Sequence, residues 1–455
     1  MVLGKNHIKN KTMNNLITES KRPRVVIVGG GFGGLKLAQS LRNTATEVVL
    51  FDKFNHHTFQ PLLYQVATSG LETSAIVYPF RKNFGTQSNL YFRLGEVSKV
   101  YPNENLIETS IGKVKYDYLV IATGADTNFY GIKPVEAYAV PMKTIQDAIR
   151  LRNRIISNFE SALLIEEEEN RNSYIDFVIV GGGPTGVEIA GALSELRSHV
   201  FPKDYRELNL KEMDIHLIEA APRLLNGMTE KAGRDAEKFL KEMNVQVHTG
   251  KSVKTYDGYT VTLNTGETFI SRNLIWAAGV KGNPIAGLNT EAIVGGNRIK
   301  VDSYNRVSGY ENIFAVGDVA AMITEKTPKG HPMVAPPAIQ QGKLLAKNLQ
   351  NLIHKKPLKA FEYKDQGSMA TIGRNRAVVD LKKAYLAGWI AWLVWMFVHL
   401  MSLVGFRNRV FVFFSWLWSY LSYDKSNRLI IGKLGTQADD AQKARQTLEG
   451  DALPH

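Results

Sequence analysis

The chain has 455 residues, 44% of them hydrophobic and 22% charged, enough for two or three domains with a sizeable core. It carries 56 Lys and Arg against 43 Asp and Glu, a formal charge of +13 that suits anionic lipid or anionic cofactors, and no compact basic stretch interleaved with aromatics marks a nucleic-acid partner. Cysteine is absent, which excludes disulfides, thiolate metal sites and any dithiol relay.

Residues 1–22 are polar, rich in Lys and Asn and without an apolar stretch, and read as a disordered tail rather than a secretory signal, with Met13 a candidate alternative start. The apolar run Val25–Val28 then predicts a strand buried on both faces. Gly29, Gly31 and Gly34 follow in G-x-G-x-x-G spacing, and Leu35–Leu41 continues at helical period. Such a turn brings backbone close to a pyrophosphate and presents it to a helix N-terminus. A second apolar run, Val48–Phe51, ends in Asp52, placed to accept from a ribose. The segment Phe59–Ala67 is too apolar for a solvated loop and is expected to cover something.

Strands are expected near Tyr91–Leu94, Asn105–Thr109 and Tyr118–Ala122, and a helix over Ile145–Leu164. The opening unit then repeats. Phe177–Val180 reads as a strand, Gly181, Gly183 and Gly186 restore the spacing, a helix continues through Glu188–Leu196, and Asp214–Ile218 ends in Glu219. Two such turns, 152 residues apart, imply two dinucleotides, and an enzyme holding two passes a hydride between them. A hairpin about Thr265-Gly266, a strand Leu274–Ala278 closed by Gly279, and a strand Asn312–Asp318 before a helix opening at Val334–Gln341 follow. The Gly317-Asp318 strand tip is suited to a flavin's ribityl–pyrophosphate chain.

The composition changes abruptly after 383. Leu386–Phe406 and Val410–Tyr423 contain no Asp, Glu, Lys or Arg, and hold five of the six tryptophans. The first run has the roughly 20-residue length of a membrane span. Its tryptophans and the flanking Arg407 and Arg409 instead favour a helix pair lying in the membrane interface.

Taken together, the chain resembles the type II NADH dehydrogenases, non-proton-pumping NADH:quinone oxidoreductases of the two-dinucleotide-binding-domain flavoproteins. The likeness runs from Arg24 to Arg428, and its most specific parts are the Phe59–Ala67 loop, Gly373–Ala377 and His399…Arg409. The resemblance implies an α/β fold with two Rossmann-like domains, the FAD domain interrupted by the NADH domain, plus C-terminal amphipathic membrane-associating helices. The expected division is 23–140 and 286–360 for FAD, 141–285 for NADH, and 361–455 for membrane association and tail.

It further implies non-covalent FAD on Gly29, Gly31, Gly33, Gly34, Asp52, Lys53, Thr123, Gly124, Gly317, Asp318 and Ala338, and NADH as substrate on Gly181, Gly183, Thr185, Gly186, Glu219, Ala278 and Gly279. Tyr64, Gln65, Pro336, Gln340 and Lys383 fall on the quinone side, with Glu188 and Gln340 as candidates for proton delivery. The implied partners are a membrane quinone (menaquinone or ubiquinone), the lipid surface and a second copy in a homodimer, at the cytoplasmic face of a bacterial inner membrane. One departure stands out: in Ala335–Gln340 proline replaces the first glutamine of the family's Ala-Gln-x-Ala-x-Gln, so a variant quinone pocket is expected. Relatives that attack sulfur need cysteines and are excluded. A soluble flavin-dependent NADH oxidase or reductase, and an NADH-binding flavoprotein without quinone turnover, remain as alternatives. Removing everything after Lys383 is expected to leave the NADH half-reaction largely intact.

Overall fold

The computed structural model describes residues 21–325, 327–425 and 427–431; the expected tail up to residue 20, and the region from 432 onward, lie outside them. The chain forms two compact units. The first contains the described residues up to His57, Pro79–Ala125 and Lys281–Lys364; the second contains Thr58–Tyr78, Asp126–Val280 and the described residues from Asp365.

In the first unit five parallel strands lie in the order Ile313–Ala315, Tyr118–Ile121, Arg24–Val28, Glu47–Asp52, Leu90–Leu94. The glycine-rich strand sits centrally, with Val26 paired to Val49 on one side and Leu119 on the other. Its side chains alternate between faces, and both faces are covered. Val26, Val28, Val49 and Phe51 pack on Val100, Ile107 and Val114 of a small antiparallel sheet, which explains why the run is apolar throughout rather than alternating.

The second unit repeats this plan. Its parallel sheet runs Val140–Pro141, Asn273–Trp276, Phe177–Val180, Ile215–Glu219, Gln246–Thr249, and again the glycine-rich strand is central. Val178, Val180, Ile218 and Trp276 pack against Tyr256, Val261 and Leu263 of an antiparallel sheet whose hairpin turns at Gly266.

The C-terminal part of the second unit holds three antiparallel strands, Ser368–Thr371, Ala377–Leu381 and Ala384–Ala387, followed by helices Trp389–Ser402 and Phe406–Ser422. The first charge-free run is thus divided. Its opening residues finish a strand, Gly388 turns the chain at φ +77, and only 14 residues are helical, about 21 Å at 1.5 Å each. Among the described residues no helix is long and apolar enough to cross a membrane.

Candidate active site

The two glycine-rich turns are built alike. Gly29 and Gly181 adopt φ +102 and +111, a conformation open to glycine. A Cβ on Gly34 would overlap the Gly29 carbonyl oxygen, and one on Gly186 the Gly181 oxygen, so each helix lies directly on its strand's end. At Gly31 and Gly183 a Cβ would meet no protein atom within 4 Å, and both helices start there without a side-chain cap. Their first amides are therefore left for an outside acceptor, and the open cradle fits a pyrophosphate.

The strand-end acids also match. Asp52 accepts from Gly30 N at 2.6 Å and Phe54 N at 2.7 Å; Glu219 accepts from Gly182 N at 2.5 Å and Ala221 N at 2.6 Å. Burial raises the Asp52 carboxyl above its usual range, and the two amides oppose that rise. Around the first turn the structure gathers Gly33 against Val316 and Ala338, and Gly317, whose N–H donates 2.8 Å to Gln341 Oε1, against Ala338. Thr123 Oγ1 donates 2.5 Å to Asn283 O, and Gly124 O accepts from Asn283 N, while Lys53 is exposed beside Phe54. Asp318 stands close enough to Arg298 to act on its charge. Around the second turn, Thr185 follows the proline that opens the helix, Ala278 O accepts from Tyr130 OH at 3.0 Å, and Gly279 O from Asn128 N.

Of the proton and quinone candidates, Glu188, Tyr64 and Gln65 come together in the second unit, lining a cavity of about 110 Å³. Glu188 is 7% exposed, and burial pushes its carboxyl up to about 8, opposed by the Thr371 amide at 3.5 Å and the nearby Trp395 indole N–H. That indole is buried and makes no full hydrogen bond, which leaves Glu188 thinly solvated. Tyr64 is held above its ordinary range by burial, then by the Glu188 charge. Its hydroxyl accepts from Gln65 Nε2 at 2.9 Å, while Gln65 Oε1 accepts from Trp416 Nε1 at 2.7 Å. Lys383 sits instead on the exposed turn between strands Ala377–Leu381 and Ala384–Ala387.

Pro336 and Gln340 begin the Ala335–Ile353 helix in the first unit. Gln340 donates 2.9 Å to Lys364 O and accepts from Lys364 N at 3.0 Å, so its amide clamps the backbone there. One residue further, Gln341 is the buried one, facing the Gly317 amide.

Two features were not anticipated. His57, 2% exposed, hydrogen-bonds through Nδ1 to Gly30 O at 3.0 Å and meets Phe32 edge-on, and burial lowers its pKa to about 4. Its partner lies 27 residues away, so no local pattern announces it. The tryptophan cluster is also divided rather than wholly interfacial. Trp395 (1% exposed) and Trp416 (8%) wall the cavity, with Trp395 stacked on His399 at 4.0 Å, whereas Trp389 and Trp418 face outward.

Residues 23–342 match the model of the pyridine nucleotide-disulphide oxidoreductase family, and 366–422 match the NDH2 C-terminal domain. The chain is 34% identical over 420 residues to the type II NADH:quinone oxidoreductase Ndh of Mycobacterium tuberculosis, spanning 88% of this chain and 89% of that one. It is 27% identical over 364 residues to the type II NADH:quinone oxidoreductase of Staphylococcus saprophyticus, spanning 78% of this chain and 89% of that one. The structure of NDH2 from Plasmodium falciparum in complex with NADH shares the fold, with a TM-score of 0.83 at 23% identity over 90% of this chain and 100% of that one. With matched domains at both ends and a relative of this identity aligned over most of both chains, the chain belongs to the type II NADH:quinone oxidoreductases, within the pyridine nucleotide-disulphide oxidoreductase family.

Proposed function

We propose that the chain oxidises NADH and reduces a membrane quinone, menaquinone or ubiquinone, through non-covalently bound FAD and without pumping protons. In this reading FAD lies along the first turn from Gly29 to Asp52, reaching Gly317 and Asp318, and NADH binds along the second from Gly181 to Glu219. Bound FAD supplies reversible two-electron chemistry. The amides after Gly31 and Gly183 hold phosphates, and Asp52 and Glu219 accept from ribose hydroxyls.

The observation that carries the reading is Glu188. It is a carboxylic acid on the helix that starts at the second turn, kept protonated up to about pH 8 inside a cavity of aromatic walls. Converting quinone to quinol consumes one proton beyond the hydrogen that NADH delivers, and a neutral buried carboxyl is suited to donate it. Phe406 (81% exposed), Leu421 (71%), Phe397 (65%) and Trp418 (62%) support peripheral attachment to a lipid surface, a large apolar area for a protein in water. The reading places the enzyme on the cytoplasmic face of a bacterial inner membrane, as a homodimer.

The test is steady-state NADH oxidation with a water-soluble quinone across pH. Wild-type turnover should fall as pH rises through about 8, where Glu188 ionises. Glu188→Gln should lower kcat by about 10²-fold and remove that limb. Bound flavin reduced by NADH but not reoxidised by any quinone would favour a flavoprotein without quinone turnover; faster reoxidation by oxygen would favour a soluble oxidase.

A further inference from the structure

The cavity over Glu188 continues along the Pro184–Glu195 helix into the wider π-turn Leu196–Val200. Glu188, Ala192, Glu195 and His199 line it at i, i+4, i+7 and i+11, a single stripe of that helix. Exposure rises along the stripe: Glu188 is buried, Glu195 half-buried and His199 exposed. Glu195 Oε2 pairs with Lys425 Nζ at 3.2 Å, while Oε1 is buried and has no hydrogen-bond partner. The charged groups facing this stretch besides the stripe are Lys425 and Arg374, the latter held between the Tyr420 and Tyr423 rings, with the His199 ring 4.4 Å from that of Tyr423; Ser419 and, at the inner end, Tyr64, Gln65, Thr68 and Thr371 are the neutral polar groups. Ala192, the one small residue of the stripe, lines the cavity between the two carboxyls, and its carbonyl accepts from Lys425 Nζ at 3.5 Å.

The overall reaction, NADH + H⁺ + quinone → NAD⁺ + quinol, takes one proton from solvent per turnover. Glu188 cannot collect it directly, because it is buried. About 10 Å of helix rise separates Glu188 from Glu195, and a cavity of about 110 Å³ has room for a few bridging waters, at about 10–15 Å³ each.

We propose that Glu195 and His199, with the water of this cavity, form the proton-uptake route that reloads Glu188 from solvent. His199 takes a proton at the mouth, Glu195 Oε1 accepts it, and water passes it to the Glu188 carboxylate left after donation to quinone. The inference rests on the proton-donor role proposed above for Glu188. It assigns the positively charged mouth, with Lys425 and Arg374, to the aqueous side.

The experiment uses the full-length holoenzyme and the variants Glu195→Gln, His199→Ala and Glu188→Gln. In anaerobic rapid mixing, Glu195→Gln should leave flavin reduction by NADH near the wild-type rate and slow reoxidation by a soluble quinone about tenfold or more, with His199→Ala slowing it less. Added imidazole, a small proton carrier, should restore much of the lost rate. Independently of turnover, the infrared band of the protonated Glu188 carboxyl, assigned by its loss in Glu188→Gln, should exchange more slowly into D₂O in Glu195→Gln than in wild type. Slow reoxidation in Glu188→Gln alone, with wild-type rates and exchange in the other two, overturns the route and leaves the Glu188 reading standing. Wild-type reoxidation in Glu188→Gln overturns both. Equal slowing of both half-reactions without rescue by imidazole marks a structural defect and also overturns the route.

Discussion

In the first unit the Gly30 carbonyl is held by the imidazole of His57; in the second the matching Gly182 carbonyl accepts from the Leu225 backbone amide at 2.8 Å. Leu225 belongs to a surface loop organised by Arg223, whose guanidinium donates to the carbonyls of Asn226, Met228 and Thr229 at 2.9–3.1 Å. One turn is thus locked by a buried side chain, and Phe80 fills the space a side chain at Gly30 would need. The other is closed by a backbone amide, and buried Leu224 fills the space a side chain at Gly182 would need. In the proposed reading the same strand–turn–helix skeleton serves two needs, a cofactor that stays bound at the first turn and a substrate that leaves each cycle at the second.

The largest effect expected is at Gly34. Its alanine variant pushes the helix off the turn, at a cost of about 1–3 kcal/mol or more, and should purify without flavin, read from the ratio of flavin to protein absorbance. His57→Ala removes one side of the lock, and flavin should bind about tenfold more weakly or worse, measured by flavin titration. The sign of the acid response follows from the lowered pKa. In the unfolded chain this imidazole takes its proton near 6.5, in the folded chain near 4, so its contribution is fully present above pH 6.5 and lost as pH falls toward 4. His216 and His399, each lowered to about 4 by burial, act in the same direction. Thermal melts across that window should show stability declining with acid.

How much of this could be read from the sequence follows from how local each signal is. The strands, both turns and both terminal acids are encoded within about 40 residues each, and the structure has them as expected. The His57 lock depends on two distant residues meeting, which no spacing reveals. Gln340 and Gln341 differ by one position, about 100° around a helix, and that phase is set by packing against Gly317 and Lys364. The Trp389–Ser402 helix is apolar all round, so its sequence does not separate the wall of a cavity from a face turned outward.

A smaller effect is expected at Glu219. With its charge removed in Glu219→Gln, the preference for NADH over NADPH should fall about tenfold in kcat/KM, because Arg223 is engaged by its own loop and is no ready partner for a 2′-phosphate. Removing the chain after Lys383 takes Trp395 and Trp416 out of the Glu188 cavity, so the damage should fall on the second unit while flavin content persists. This replaces the expectation of an intact NADH half-reaction. The double variant Phe406→Ser, Leu421→Ser touches outward-facing residues alone and should release the protein from liposomes in a flotation assay, with soluble-quinone turnover within about twofold of wild type.

The division of labour between the two turns is tested most directly by mixing Gly186→Ala with NADH under anaerobic conditions while following flavin absorbance. The expected result is a yellow protein that NADH no longer bleaches at the wild-type rate, that dithionite bleaches fully, and that quinone then reoxidises normally. A colourless protein, or bleaching by NADH as fast as in wild type, would contradict it.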